Sequence, residues 1–278
     1  MKNKYCLFIA AFLSVLFAPV VKNHAQENIR LKVVSFNVRS FEPDFNIAPY
    51  AEVLRTLDAD IICLNEVENR SSRMQLNGKY RDVVQELGNQ LAMFGIFGYS
   101  YNLSNKDGKL PETDYTFSEN ELYGNAILSK YPVMNSLSLQ LPRPASSADQ
   151  RSVLAVDVLL SPSVQIRVAV SHLDHVGGRM EQVKVLVSDK IADTRTPVIL
   201  AGDMNAGPGS GELTELLTKF ERLDGDEGTY EGISKIDYIL GSKAHWKLVG
   251  SKTIAPYDKD GKELSDHWIL YSEIELIK

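Results

Sequence analysis

The sequence predicts an α/β chain of the α+β type: a four-layer sandwich of two packed mixed β-sheets flanked by helices. Three observations predict it. About ten short apolar segments read as strands, and only four segments carry helical spacing. A single parallel sheet needs a crossover helix between most neighbouring strands, so four helices are too few for one. The segments "RSVLAVDVLL" and "VQIRVAVSHL" are separated only by "SPS", which makes an antiparallel hairpin part of the same chain. Two mixed sheets with helices outside satisfy all three.

The elements follow in order. Residues 1–25 place Lys2 and Lys4 before an apolar run, Tyr5 to Val21, and end on a small residue, Ala25. This is the pattern of a secretory signal peptide, with an uncleaved anchor as the alternative. Residues 26–278 then form one domain without an internal linker or repeat. "IRLKVVSFNV" (29–38) alternates and reads as a strand. "NIAPYAEVLRTLDA" (46–59) reads as a helix with Ile47, Tyr50, Val53, Leu54 and Leu57 on one side. "ADIICLNEV" (59–67) is a continuous apolar run ending in acid, the mark of a covered strand. "YRDVVQELGNQLAMF" (80–94) is a helix weakened by Gly88. A strand over "GYSYNL", a polar loop over 104–121 and a short strand in "GNAILSKYPV" come next. After the hairpin, 178–193 reads as a helix with Met180, Val183, Leu186, Val187 and Ile191 inward. "PVILAGD" is a strand. Residues 209–220 form a helix capped by Ser210. "KIDYILGS", "WKLVGSKTI" and "HWILYSEIEL" are the last strands.

The chain has 278 residues and a formal net charge of −6. Loss of residues 1–25 removes three lysines and no acid, so 27 basic residues face 36 acidic ones. Such a chain is a poor general binder of polyanions. One cysteine, Cys63, remains after cleavage, so no internal disulfide forms and Cys63 reads as a small buried apolar group. An exported protein, periplasmic, envelope-associated or secreted, is the expectation, with no stable membrane span after cleavage.

Polar residues recur where buried strands end or begin: Asn37, Glu66, His172, Asp203 with Asn205, Asp237, and Asp266 with His267. Side chains of this kind beside apolar runs are costly unless they share a site or water. Carboxylates and an amide suit a hard divalent cation, Mg²⁺ or alternatively Mn²⁺. No HExxH and no paired cysteines point to zinc. Two histidines near acids suit proton transfer and stabilisation of phosphate charge. Together they describe metal-assisted cleavage of a phosphate ester.

The ordered set "SFNV", "DIICLNEVE", "GNAILSKYPV", "SHLDH", "GDMNAGPGS", "KIDYIL" and "LSDHWIL" resembles the endonuclease/exonuclease/phosphatase superfamily of DNase I-like, metal-dependent phosphoesterases. The resemblance implies roles. Glu66 is the main metal ligand, helped by Asn37 and Asp266. Asp203 orients or deprotonates the attacking water, and Asn205 holds that water or the scissile phosphate. His267 contacts a phosphate oxygen, and Asp237 fixes its tautomer. His172 donates a proton to the leaving group or binds phosphate. Arg151 lies near the site, with a surface ion pair as its alternative. Arg39 stands where some abasic-site endonucleases of the superfamily carry an acid, which argues against a second metal there. In "SHLDHVGGRMEQ", His175 and Arg179 reach towards the rim while Asp174 braces the loop.

The favoured substrate is a small or medium phosphate mono- or diester, cleaved by in-line attack of an activated water. Segment 67–79, with Arg70 and Arg73, reads as a small basic rim. A secreted endonuclease acting on DNA or RNA is the alternative. A non-catalytic binding module on the same fold, or a structural envelope protein, is the distant one. The oligomeric state is not legible.

Overall fold

A computed structural model describes residues 28–103, 121–193 and 195–277. The leader (1–25) and nearly all of the polar loop (104–121) lie outside the described residues. The first sheet contains β1 (Arg30–Asn37), β2 (Ile61–Asn69), β3 (Phe94–Asn102), β4 (Leu122–Ser129), β11 (Trp246–Ile254) and β12 (Ile269–Leu276). The second contains β5 (Val133–Gln140), β6 (Ser152–Ser161), β7 (Val164–Ser171), β8 (Val198–Asp203), β9 (Phe220–Arg222) and β10 (Asp237–Ser242). Their orders are β11-β12-β1-β2-β4-β3 and β5-β6-β7-β8-β10-β9. Four helices cover the outer faces: α1 (Ala48–Thr56), α2 (Val83–Leu91), α3 (Arg179–Leu186) and α4 (Gly211–Lys219). The fold is the expected α+β sandwich of two mixed sheets flanked by helices.

Side-chain parity builds the layers. In β2, Ile61 and Cys63 face the second sheet, whereas Ile62 and Leu64 face α1 and α2. Val156, Val168, Ile199 and Ile239 meet Ile61 and Cys63 from the opposite sheet. Val198, Leu200 and Tyr238 turn outward under α3 and α4, against Val183, Leu213 and Leu216. Cys63 lies in the middle layer, fully buried, and burial pushes its thiol pKa up. It is inert packing, as expected.

Each sheet has one parallel pair at its centre, β1 with β2 and β7 with β8; the other pairings are antiparallel. The two pairs end at the same edge of the sandwich, and the antiparallel neighbours β4, β6, β10 and β12 begin there. At that edge the layer between the sheets changes character. On the inward parity of β1, Leu31 and Val33 give way to Ser35 and Asn37. On β2, Cys63 gives way to Asn65. On β4, Ile127 gives way to Asn125. All these polar side chains are buried.

Asn65 ties this edge together. Its Nδ2 donates to Asn125 Oδ1 (2.8 Å) and to the Ser171 carbonyl (3.1 Å), and its Oδ1 accepts from the Asp203 N–H (2.9 Å). Asn125 Nδ2 in turn donates to the Ser152 carbonyl at 3.1 Å. One carboxamide therefore joins β2, β4, β7 and β8 across both sheets.

Two strands were not legible. β5 is exposed along most of its length, so its apolar residues do not alternate with burial. β9 is three residues long. The helices are shorter than predicted. α3 stops at Leu186, where Ser188 Oγ donates back to the Val185 carbonyl at 2.6 Å. Ile191 is buried from the turn beyond, and Met180 is only half-buried. α4 carries the expected cap, with Ser210 Oγ accepting from the Leu213 N–H at 3.1 Å. Gly88 has a packing reason: a Cβ there would stand 2.7 Å from the Met93 carbonyl oxygen. No helix among the described residues is long and apolar enough to cross a membrane.

Replacing Asn65 with Ala leaves the Ser171 carbonyl, the Asp203 N–H and an Asn125 amide oxygen short of a partner. The expected cost is about 3 kcal/mol of unfolding free energy, read as a lower urea midpoint with an unchanged m-value.

Candidate active site

The polar edge opens into a cleft of ≈ 470 Å³ lined by Glu66, Arg151, His172, Asp203, Asn205, Asp266 and His267 among others. Backbone irregularity aims these groups. In β2 the register slips between Leu64 and Val67, and Glu66 has φ 57°. Leu64 and Val67 both pack on the helix side, so Glu66 is the extra residue of a bulge that turns its carboxylate to the cleft. Asn205 is also left-handed, with φ 47°, and its N–H donates to Asp203 Oδ1 at 2.9 Å. This is an Asx turn at the end of β8. Gly202 before it has φ 131°, and a Cβ there would lie 2.0 Å from the Ser171 carbonyl oxygen.

All the strand-end residues picked out in the sequence line this edge. Asn37 Nδ2 donates to Glu66 Oε1 (2.9 Å) and Asp203 Oδ2 (3.2 Å), while its Oδ1 accepts from the Arg39 N–H (3.0 Å). In this arrangement Asn37 is a donor holding two carboxylates together. That oxygen, the expected help to the metal, accepts one backbone hydrogen bond and keeps a second lone pair. Asp237 Oδ2 pairs with His267 Nδ1 at 2.9 Å. Ser265 Oγ donates to the Asn37 carbonyl (2.7 Å) and accepts from the His267 N–H (3.1 Å), locking the segment that presents His267. Tyr230 packs edge-on to the His267 ring.

The two histidines differ in charge. Arg151 Nη1 lies 3.0 Å from His172 Nδ1. A guanidinium only donates, so Nδ1 accepts and the imidazole proton sits on Nε2. Burial, with the charges of Arg151, His267 and His175, holds the His172 pKa well below its ordinary value. His172 is therefore a neutral donor. Its Nε2 faces Asp203 Oδ2 at 3.4 Å and Asn205 Nδ2 at 3.0 Å. At His267 burial works against the charge, but Asp237, then Asp203 and Asp266, outweigh it and raise the pKa to about 9. Asp203 is itself raised to about 7, first by burial and then by Asp237 and Glu66, against the pull of His267 and the Asn205 N–H.

Asp203, Asp237 and His267 form a buried cluster whose ligand atoms lie within 4.8 Å of one another, spacing suited to a divalent cation. Asp237 Oδ1 has no hydrogen-bond partner among the described residues. Glu66 and Asp266 offer more open carboxylates, with side chains 26% and 28% exposed. The donor set thus fits a hard cation that keeps part of its water.

Several rim expectations are settled by partners. Arg73 is not a free rim cation: it is spent on buried Glu68, on Glu42 and on the Phe45 ring. Arg39 lies 3.6 Å from Asp266. Arg179 braces its loop through Glu212 (3.2 Å) and the Asp174 carbonyl (3.1 Å). Asp174 accepts from the Val176 N–H (2.7 Å) and from Ser147, as a brace does. His175 does reach the cleft. Asn65, Asn125, Tyr123 and Tyr230 were missed, although the parity of Asn65 and Asn125 with the inward face of their strands was a usable signal.

The stabilising charge of His267 is fully present below pH 6.5 and fades as pH rises through about 9. NMR titration of the metal-free protein is expected to find this imidazole far above its ordinary value, and Asp237→Asn is expected to bring it down.

The chain superposes on an endonuclease/exonuclease/phosphatase from Beutenbergia cavernae with TM-score 0.67 and 20% identity, covering 89% of this chain and 72% of that one. A functionally unknown conserved protein from Enterococcus faecalis gives 0.68 and 19%, covering 88% and 99%. A mannosyl-6-phosphatase from Bacteroides thetaiotaomicron gives 0.64 and 16%, covering 89% and 100%. A search of curated proteins found no significant match. At these identities the likeness concerns the fold. A sequence model of the Endonuclease/Exonuclease/phosphatase family matches residues 34–267, from the middle of β1 to the cleft histidine, and the chain belongs to that family.

Proposed function

We propose that the protein is an exported, metal-dependent phosphoesterase that hydrolyses a small phosphate ester. The observation that carries this reading is the convergence of N–H donors and carboxylates on one cleft. Asn205 Nδ2, His172 Nε2–H and charged His267 suit phosphate oxygens, and Asp203 suits a water. Glu66 and Asp266, the more open carboxylates, would hold Mg²⁺ or Mn²⁺. The members of the Asp203–Asp237–His267 cluster already engage one another. A bound divalent cation would supply neutralisation of phosphate charge.

The chain's own residues do the rest. Asp203, with its raised pKa, orients the attacking water and can take its proton. His267, charged and held by Asp237, stabilises a phosphate oxygen as charge builds. Neutral His172 and Asn205 donate to another oxygen and fix the orientation of phosphorus. Arg151 sets the His172 tautomer. No side chain among these is placed as a covalent nucleophile.

A small ester is favoured over nucleic acid by the charge pairing of the described rim residues. Arg73 and Arg39 are already paired with acids, and the chain is net acidic. The superposed Bacteroides thetaiotaomicron mannosyl-6-phosphatase, by its name, acts on a small phosphate. Export rests on the leader pattern of residues 1–25.

The purified protein is expected to hydrolyse small phosphate esters with Mg²⁺ or Mn²⁺ and to stop with EDTA. His267→Ala and Glu66→Gln are each expected to lower kcat by roughly 10²- to 10³-fold. Glu66→Gln should also weaken metal binding in calorimetry, whereas a loss confined to Asp237→Asn would move the ion to the buried cluster. Metal-dependent nicking of plasmid DNA without turnover of small esters would establish the nuclease reading instead.

A further inference from the structure

The Asp237–His267 pair is assembled from both sheets. Asp237 opens β10 in the second sheet and His267 stands just before β12 in the first, so their hydrogen bond spans the sandwich. On one side β10 pairs with β8 from Asp237 onward. On the other side β9 stops at Arg222, opposite Leu240, and side chains take over from the missing strand. Asp224 Oδ2 accepts from the Ile239 N–H at 2.8 Å. Thr229 Oγ1 accepts from the Asp237 N–H at 3.0 Å and the Ile236 N–H at 3.2 Å. The hydroxyl proton is directed to the Ser234 carbonyl at 3.4 Å, which leaves both oxygen lone pairs for those two donors.

The backbone of Thr229 is tied to the other half of the pair. The Trp268 N–H donates to the Thr229 carbonyl at 2.6 Å, Tyr230 bridges to His267, and the Glu231 N–H donates to the Asp266 carbonyl at 2.7 Å. The N–H groups of Thr229 and Tyr230 both donate to the Ser234 carbonyl at 2.9 Å and close the turn. Thr229 therefore grips the start of β10 with its hydroxyl and the entry to β12 with its carbonyl. It is fully buried and does not line the cleft. A valine would fill the same space, so packing alone gives no reason for a hydroxyl here. The two main-chain donors it satisfies do. A short carboxylate follows its own backbone, and a shift of the Asp237 main chain would carry Oδ2 away from His267 Nδ1.

We propose that Thr229 is a positioning residue. Its hydroxyl fixes the Asp237 backbone against the segment that carries His267, so that the carboxylate meets Nδ1 and Nε2 is held towards Asp203 in the cleft. The consequence for turnover rests on the phosphoesterase reading, whereas the alignment of the pair does not. No bond is made or broken at Thr229.

The test sets Thr229→Val, which keeps the shape and removes the acceptor, beside Thr229→Ser, which keeps the acceptor. Proton NMR of the metal-free proteins at neutral pH reads the His267 Nδ1–H, a downfield resonance identified by its absence in His267→Ala. A carboxylate only accepts, so this proton lies on the bond to Asp237. The resonance is expected to be unchanged in Thr229→Ser and to move upfield or broaden beyond detection in Thr229→Val. With p-nitrophenyl phosphate or bis-p-nitrophenyl phosphate and Mg²⁺ or Mn²⁺, kcat is expected to fall roughly 30-fold in Thr229→Val with KM changed less than about threefold, and to stay within about threefold of wild type in Thr229→Ser. If circular dichroism shows that Thr229→Val does not fold, Thr229→Ala carries the deletion arm. A deletion variant that keeps the wild-type resonance, or a Thr229→Ser that loses it, would reduce Thr229 to loop packing and overturn the proposal. If wild type turns over neither ester with any metal, the phosphoesterase reading fails, and the resonance still decides whether Thr229 aligns the pair.

Discussion

Polar side chains between two packed sheets have to satisfy one another, and at one edge of this sandwich that requirement falls on Asn65. Its carboxamide makes three hydrogen bonds to three other strands, two of them in the opposite sheet. An unpaired buried amide costs on the order of 1–3 kcal/mol, so each bond constrains where the facing strand can sit. The Asp203 N–H is one of the bonded groups. The residue that later faces Glu66 and both histidines is thus placed by the same amide that fixes the spacing between sheets. The polar edge is rigid because the sheets cannot shift there without orphaning several groups together.

That rigidity explains how two imidazoles in one cleft hold different charge. Both are buried, and burial alone would keep both neutral. His267 faces Asp237 at hydrogen-bond distance and Asp203 nearby, and the carboxylates prevail. His172 has Asp203 at 3.4 Å too, but Arg151 occupies its other nitrogen and denies it a second proton. The difference comes from what each Nδ1 meets: an acceptor for one, a donor for the other. A charged group and a neutral donor can then serve different oxygens of one phosphate.

Much of this was legible in the sequence for a physical reason. Parallel strands buried on both faces read as apolar runs, and a polar residue where such a run stops is conspicuous. Asn37, Glu66, His172 and Asp203 stand out in that way, and the cleft gathers them. Asn65 does not stand out, because it lies one residue before Glu66 and its importance is its inward parity. Asn125 is hidden likewise in "GNAIL". The segment with Arg70 and Arg73 misled because charge in a sequence does not reveal whether a partner is present; Glu68, buried three residues before Ser71, claims Arg73. The exposed strand β5 lacks the contrast between faces on which strand reading depends.

The placement of the cleft follows from chain direction. A sheet whose central pair is parallel must bring both strands out at one edge, and the connecting helix then carries the chain back along the outside. Here each sheet does this once, with α1 and α3 as the returns. Strands packed nearly face to face set the two outgoing edges side by side. Groups at four strand ends then meet without any long loop to position them. The antiparallel neighbours begin at the same edge, so Asp237 pairs in register with Asp203, and Arg151 enters just before β6. Acids come from strands that leave the core and from strands that enter it. The bulge at Glu66 gives up regular pairing where it matters for the cleft, since strict alternation would have buried that carboxylate beneath the helices.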